Sequence, residues 1–251
     1  MGGWSPGAGA VVGGERALTF AIGGLAPEAF ARLGFEVDAH DDVAQLLDSY
    51  AGEGLIFTID PRPALREACD FLDGIAGRVG AVDTIVFQPM GASRMTVGFA
   101  ALPGAVGRAM DQVFGVHSGQ SGSSAAVIVG SGAEASCAIA AAVQHGYQQI
   151  CIASAVPGPA MSAAHRMGVD VELVRPDSLG DLDIGVLVNT LDEHVAARPA
   201  AVVDLSSTWG DFDGPMVDRR LVMALQVQSQ LRAVTGSSPS VEDIRFALAV
   251  D

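Results

Sequence analysis

An unbroken apolar run at residues 125–129 leads into Gly130-Ser131-Gly132-Ala133-Glu134-Ala135 and then into an alanine-rich stretch at 136–146. A short, wholly apolar run reads as a strand buried on both faces, and small residues behind it read as a helix able to lie close on a sheet. Glycine at 130 lets the backbone bend sharply between the two. Glycine at 132 keeps side-chain atoms away from the open N–H groups of the helix's first turn. The next apolar run, 149–153, supplies a second strand, so the chain contains a strand, glycine turn, helix and strand in that order. Two strands joined through a helix pair in parallel, and the rest of the fold must be built around that parallel sheet.

The same unit is a dinucleotide-binding fingerprint, in which a pyrophosphate sits on the helix amino end. The candidate cofactor contacts are Gly130, Ser131, Gly132, Ala133, Glu134 and Ala135, with Ser154 closing the second strand and Thr190 closing a later one. Two of these positions weaken the site. Glu134 puts a carboxylate where phosphate charge should sit, and Ser154 is neither the acid that grips a ribose hydroxyl nor the arginine that meets a 2′-phosphate. NADP or NAD is the expected cofactor, and weak binding is expected for both.

Apolar strand candidates recur at 125–129, 149–153, 169–173, 184–188 and 201–204, alternating with helical stretches, which predicts a doubly wound parallel sheet. Ahead of it, strands at 17–22 and 55–59 with a helix at 42–50 predict a first α/β region. Helical spacing at 104–114 runs into a glycine- and serine-rich hinge at 116–124. A long helix at 217–234 stopped by Thr235-Gly236, and another capped by Ser240 and running to 249, can fold back on the first region. The predicted organisation is a tail at 1–15, an N-terminal domain at 16–103, a linking helix and hinge at 104–124, a Rossmann-type domain at 125–216 and returning helices at 217–251.

The chain of 251 residues is 49% hydrophobic and carries a net charge of −15, which fits a folded α/β protein and argues against nucleic acid or an anionic membrane as partner. All 14 basic residues are arginine. Without lysine there can be no Schiff base, no phosphate-loop lysine and no lysine acid/base, because arginine stays protonated. Cys69, Cys137 and Cys151 sit singly in apolar segments and read as buried free thiols of a reducing, cytoplasmic compartment. The five histidines show no metal-ligand spacing, and no metal is expected. No apolar run reaches membrane-spanning length, so a soluble monomer or homodimer binding a small molecule is expected.

In order, these segments resemble the shikimate dehydrogenase family from about residue 16 to the end. Gly54-Leu55-Ile56-Phe57-Thr58-Ile59 is similar to its glycine-x-asparagine-valine-threonine stretch, and Gly80-Ala81-Val82-Asp83-Thr84 to its glycine-alanine-x-asparagine-threonine stretch. Val222-Met223-Ala224-Leu225-Gln226 is similar to its methionine-leucine-leucine-x-glutamine helix. The resemblance implies two domains around a cleft in which NADPH reduces 3-dehydroshikimate to shikimate, a step of aromatic amino-acid biosynthesis, with a lysine and an aspartate moving the proton. It places Arg62 at the lysine position and Leu102 at the aspartate position. Neither can accept or donate that proton, so no catalytic residue is convincing.

The implied substrate pocket holds Thr58, Arg62, Asp83 and Gln226, with Ile56 and Asp83 replacing two family asparagines and Arg62 as the nearby partner for Asp83. General acid/base groups are worth about 10²–10⁴ in rate, so their loss predicts a protein degenerate for the family reaction. The alternatives are an active NAD(P)-dependent dehydrogenase of altered substrate or cofactor with Asp83 moving the proton, or a regulatory, partner-binding paralogue. Trp209 either lines the cleft or packs on its own domain, and Asp204, Asp211 and Asp213 read as surface turn residues.

Overall fold

Two six-stranded sheets organise the protein. The structure, a computed structural model, describes residues 19–23, 25, 27–39, 47, 52–115, 125–193, 195–210 and 212–249. The tail at 1–15, the hinge at 116–124 and all but Leu47 of the helix expected at 42–50 lie outside the described residues.

The first sheet comprises β1 (Thr19–Gly23), β2 (Glu36–Ala39), β3 (Gly54–Phe57), β4 (Phe71–Leu72), β5 (Thr84–Met90) and β6 (Ser93–Phe99), in spatial order β2-β1-β3-β5-β6-β4. Helix α1 (Pro27–Arg32) makes the crossover that leaves β1 and β2 parallel, whereas β3, β5 and β6 pair antiparallel. Helix α2 (Gly74–Val79) precedes β5, and α3 (Leu102–Phe114) leaves the sheet after β6.

The second sheet comprises β7 (Ala125–Val129), β8 (Ile150–Ala153), β9 (Glu172–Val174), β10 (Ile184–Asn189), β11 (Ala201–Asp204) and β12 (Met216–Val217), in order β12-β11-β10-β7-β8-β9. Every pairing in it is parallel. The order runs outward in both directions from β7 and β10, which is the doubly wound arrangement the alternation predicted. Helices α4 (Ala133–Gln144) and α5 (Gly158–Met167) make the first two crossovers.

Local chemistry moves several boundaries from their sequence-based places. The strand expected at 169–173 is Glu172–Val174, because Gly168 turns at φ 69 and Val169 donates its N–H to the Ala164 carbonyl, committing both residues to stopping α5. Val217 pairs with Val203 as an edge strand, so α6 (Arg219–Thr235) begins after it, with the Asp218 carboxylate accepting the Leu221 N–H at 2.7 Å. Helix α7 (Val241–Leu248) starts at Ser240, whose hydroxyl accepts the Asp243 N–H.

The C-terminal helices pack back on the first domain: Ala224, Val227, Leu231 and Val234 of α6 and Ile244 of α7 bury against Phe30, Phe35 and Ile56. A larger core is continuous between the sheets through the small face of α4, where Ala135, Cys137, Ala138 and Ile139 meet Ala105, Val106 and Ala109 of α3. Arg166 on α5 bridges the two halves by donating to the carbonyls of Arg78 and Val79 at the end of α2. Glycine is obligatory at position 80, since its φ is +80 and a Cβ there would lie 2.2 Å from the Arg166 guanidinium. Among the described residues no helix is long and apolar enough to cross a membrane.

Candidate active site

The carboxyl end of β3, the start of β5, the start of α3 and the buried face of α6 bring Thr58, Asp83 and Gln226 together. Each of the three is 5% exposed or less. Burying so many polar atoms is tolerable only if they bond one another, and they do. Asp83 Oδ1 accepts the Ala101 N–H at 2.8 Å and the Thr84 hydroxyl at 2.7 Å, while Oδ2 accepts the Leu102 N–H at 2.8 Å and the Gln226 amide at 2.9 Å. The carboxylate therefore caps α3 from a distant strand. Burial pushes its pKa up from the ordinary aspartate value, and the four donors pull it back toward the charged form.

Gln226 is committed at both ends, because its Oε1 accepts the Ile59 N–H at 2.8 Å. That bond holds a strained turn: Ile59 sits at φ 48, a conformation that costs a β-branched residue about 1–3 kcal/mol. One turn further along α6, Gln230 donates to the carbonyls of Phe57 and Asp83 and accepts the Thr58 hydroxyl at 3.0 Å. Gln230 was not among the sequence candidates. Its signal was available, since glutamines at 226 and 230 share one face of a helix whose buried positions are otherwise apolar.

Arg62 does not pair with Asp83, which corrects the partnership expected from sequence. Its guanidinium binds Asp60 Oδ2 through Nε at 2.8 Å and Nη2 at 2.6 Å, and it stacks over the Phe57 ring at 4.4 Å. A carboxylate two residues away reaches the fork with little loop ordering, whereas Asp83 is already saturated by fixed donors. Leu102 is wholly buried in the first turn of α3, and Ile56 packs into the apolar cluster beneath α6.

On the second sheet the glycine turn has the shape expected of it. Gly130 adopts φ +118, and a Cβ there would come within 2.2 Å of the Thr190 hydroxyl, which itself donates to the Val129 carbonyl at 2.8 Å. Gly132 precedes α4 and is exposed, with Ala135 buried beneath. The space above Gly132 is taken, because Glu134 Oε2 lies 3.1 Å from where a Cβ would stand. The backbone N–H of Glu134, one of the donors a phosphate would use, favours its charged carboxylate, while burial, the larger effect, raises its pKa. Asp60 and Asp192 add negative charge beside it, and Arg219 opposes them. The Ser154 hydroxyl accepts the Val156 N–H at 3.1 Å. In this position Glu134 takes part of the space that a dinucleotide pyrophosphate would use.

Similar folds recur among solved structures. Quinate dehydrogenase from Corynebacterium glutamicum in complex with NAD superposes with a TM-score of 0.74 at 20% identity, covering 93% of this chain and 99% of that one. The fold is that of the shikimate and quinate dehydrogenases. Shikimate 5-dehydrogenase from Thermus thermophilus in complex with NADP(H) and shikimate gives 0.72 at 19% identity over 92% and 98% of the two chains. Shikimate dehydrogenase from Mycobacterium tuberculosis gives 0.71 at 18% over 92% and 97%. No family sequence model matches the chain, and no curated protein matches it by sequence.

The loop after β11 also departs from its sequence reading. Asp204 is not a surface turn residue: it is 3% exposed and accepts the Ser206 N–H and hydroxyl through Oδ1 and the Trp209 N–H through Oδ2. Asn189 reaches Ser206 and Thr208 from the neighbouring strand end. Trp209 packs edge-on to Phe212 within the apolar layer of its own sheet, and Asp213 is exposed. Asp211 lies outside the described residues. Cys137 and Cys151 are buried, but Cys69 is partly open, with burial raising its thiol pKa to about 11.

Proposed function

We propose that this chain is a divergent member of the shikimate dehydrogenase family that has kept the two-domain fold and lost the family's hydride transfer. The observation that carries the reading is the state of the polar set. Asp83, the one acid among the implied substrate-pocket residues, commits both carboxylate oxygens to four internal donors, and Leu102 stands buried where the family's acid would be. A carboxylate already accepting two backbone N–H bonds, an amide and a hydroxyl has no direction left from which to take a substrate proton. Thr58 and Gln226 are likewise turned to internal partners, so the groups that would orient a polyol serve the fold instead.

NAD and NADP bind weakly in this reading. Glu134 must leave the amino end of α4 before a pyrophosphate can enter, and neither strand end offers a guanidinium to offset that displacement. Arg62 is paired with Asp60 beside the same opening, so its charge is already answered by a carboxylate and not left open for an anionic acid substrate.

The test is direct assay of the purified chain with NADP⁺ and shikimate and with NAD⁺ and quinate, following nicotinamide absorbance. Turnover is expected at least about 10²–10⁴ below that of an enzyme with its acid/base pair intact. A turnover number of about 1–10³ s⁻¹ on either pair would overturn the reading.

A further inference from the structure

We propose that the cavity between the last two helices is a separate binding site for a small organic anion with an apolar body. The cavity, about 770 Å³, lies where the first turn of α6, the length of α7, Gln112 of α3 and Ser207 after β11 come together. That volume falls in the range of small-molecule sites, roughly 300–1,000 Å³. None of Thr58, Asp83, Gln226 or the glycine turn lines it; the residue common to this cavity and the cleft is Arg219, whose charge also acts on Glu134.

Its charge runs against that of the chain. In a protein with 29 acidic and 14 basic residues, Arg219, Arg220 and Arg245 face this one space, and among the described residues that line it Glu242 is the one acid against them. Arg219 is anchored by donating to the Leu205 carbonyl at 2.5 Å. Arg220 and Arg245 are exposed, and among the described residues neither has a hydrogen-bond or ion-pair partner. Guanidinium forks left open suit carboxylate or phosphate, which they grip through paired N–H bonds.

The rest of the wall selects the body of the ligand. Leu221, Met223, Val241 and Phe246 give the cavity an apolar floor, and Phe246 is 73% exposed. A bare inorganic anion would leave that surface wet, and a neutral hydrocarbon would leave the arginines unanswered. An acyl or aryl chain ending in carboxylate or phosphate satisfies both at once.

Titrating the intact protein with anilinonaphthalene sulfonate, and then displacing it with octanoate, octyl phosphate or inorganic phosphate, tests the site. Saturable one-to-one binding is expected, displaced by at least one of the two octyl anions; which one competes better tells carboxylate from phosphate. Inorganic phosphate alone should compete tenfold or more less well. The double variant Arg220→Gln, Arg245→Gln should bind the probe at least tenfold more weakly with an unchanged melting temperature, while Arg175→Gln, at an exposed arginine paired with Asp177, should bind like the parent. Equal affinity in the double variant, competition by phosphate as strong as by the octyl anions, or no saturable binding would each overturn the proposal.

Discussion

Among the helices that begin against a carboxylate, α3 and α4 use theirs in opposite ways. Helix α3 is met by Asp83, which arrives from another strand, is wholly buried and accepts four hydrogen bonds. Helix α4 is met by Glu134 of its own first turn, which remains partly exposed on a flexible side chain with Asp60 and Asp192 nearby. Both satisfy the same electrostatics, a partial positive charge and open N–H groups at a helix amino end. The difference is reversibility. Removing Asp83 leaves four donors dry, whereas moving Glu134 only exchanges one anion for water or for another anion.

The largest expected effect follows from the first case. Asp83→Ala should lower unfolding stability by about 3–5 kcal/mol in denaturant titration, since buried donors lose their acceptor together. Asp83→Asn should cost less, because one amide oxygen keeps part of the set while the amide nitrogen faces N–H donors. Glu134→Ala should change stability by no more than about 1 kcal/mol, the usual worth of a charge at a helix terminus. Similar losses in the two alanine variants would erase the distinction between strut and plug.

Gln230→Leu should come next, at about 2–3 kcal/mol, because it strips a donor from the buried carbonyls of Phe57 and Asp83 and an acceptor from Thr58. A calorimetric melt compared with Gln228→Leu, on the same helix but bonded to the Pro239 carbonyl and Arg108 nearer the surface, isolates the buried contribution. If the two variants melt alike, the bonds of Gln230 to Phe57, Asp83 and Thr58 add nothing beyond those of a glutamine nearer the surface.

How far the sequence reaches is shown by the same pair of sites. The unit from β7 to β8 was legible because each of its requirements is local: an apolar run, glycines where the backbone turns, small residues where helix meets sheet. Glu134 stood out for the same reason, lying within two residues of Gly132, which its carboxylate approaches. Asp83 stood out in the sequence but not as a helix cap, because its partners Ala101, Leu102 and Gln226 lie 18, 19 and 143 residues away and only folding joins them. Arg62 went to Asp60 for a reason of competition, which a list of candidates does not contain: Asp83 was already full. Asp204 resembled a surface turn residue until its carboxylate proved to hold the loop from beneath.

Glu134 supplies the third effect. Glu134→Ala should tighten NAD⁺ or NADP⁺ binding by about tenfold, or roughly 1.4 kcal/mol, read by calorimetry. Its pKa is raised by burial, so the proton goes on above the ordinary glutamate value and takes the repulsion with it. Dinucleotide affinity of the parent should therefore rise as pH falls toward that raised pKa, and the Ala variant should show no such slope. A parent and variant with parallel pH profiles would mean that Glu134 does not guard the turn.

The smallest effect belongs to a carboxylate in full contact with water. Asp70 accepts the Thr96 N–H at 2.7 Å and its hydroxyl at 2.8 Å, and those bonds lower its pKa below the ordinary 3.8. A carboxylate with a depressed folded-state pKa stabilises the fold above its unfolded value and loses that contribution as pH falls through the folded one. Asp70→Asn should thus melt slightly below the parent at neutral pH, and the gap should begin to close as pH falls past the ordinary 3.8 and vanish only below the lowered folded-state value, where the parent's Asp70 is protonated too. Asp83→Asn runs the other way. Burial raises that group, so protonation favours the fold below the unfolded value, and the cost of holding the charge grows as pH climbs toward the raised one. The parent should therefore gain on Asp83→Asn with acid while it loses its small lead over Asp70→Asn, and two melting curves moving in the same direction would show that depth does not separate the carboxylates.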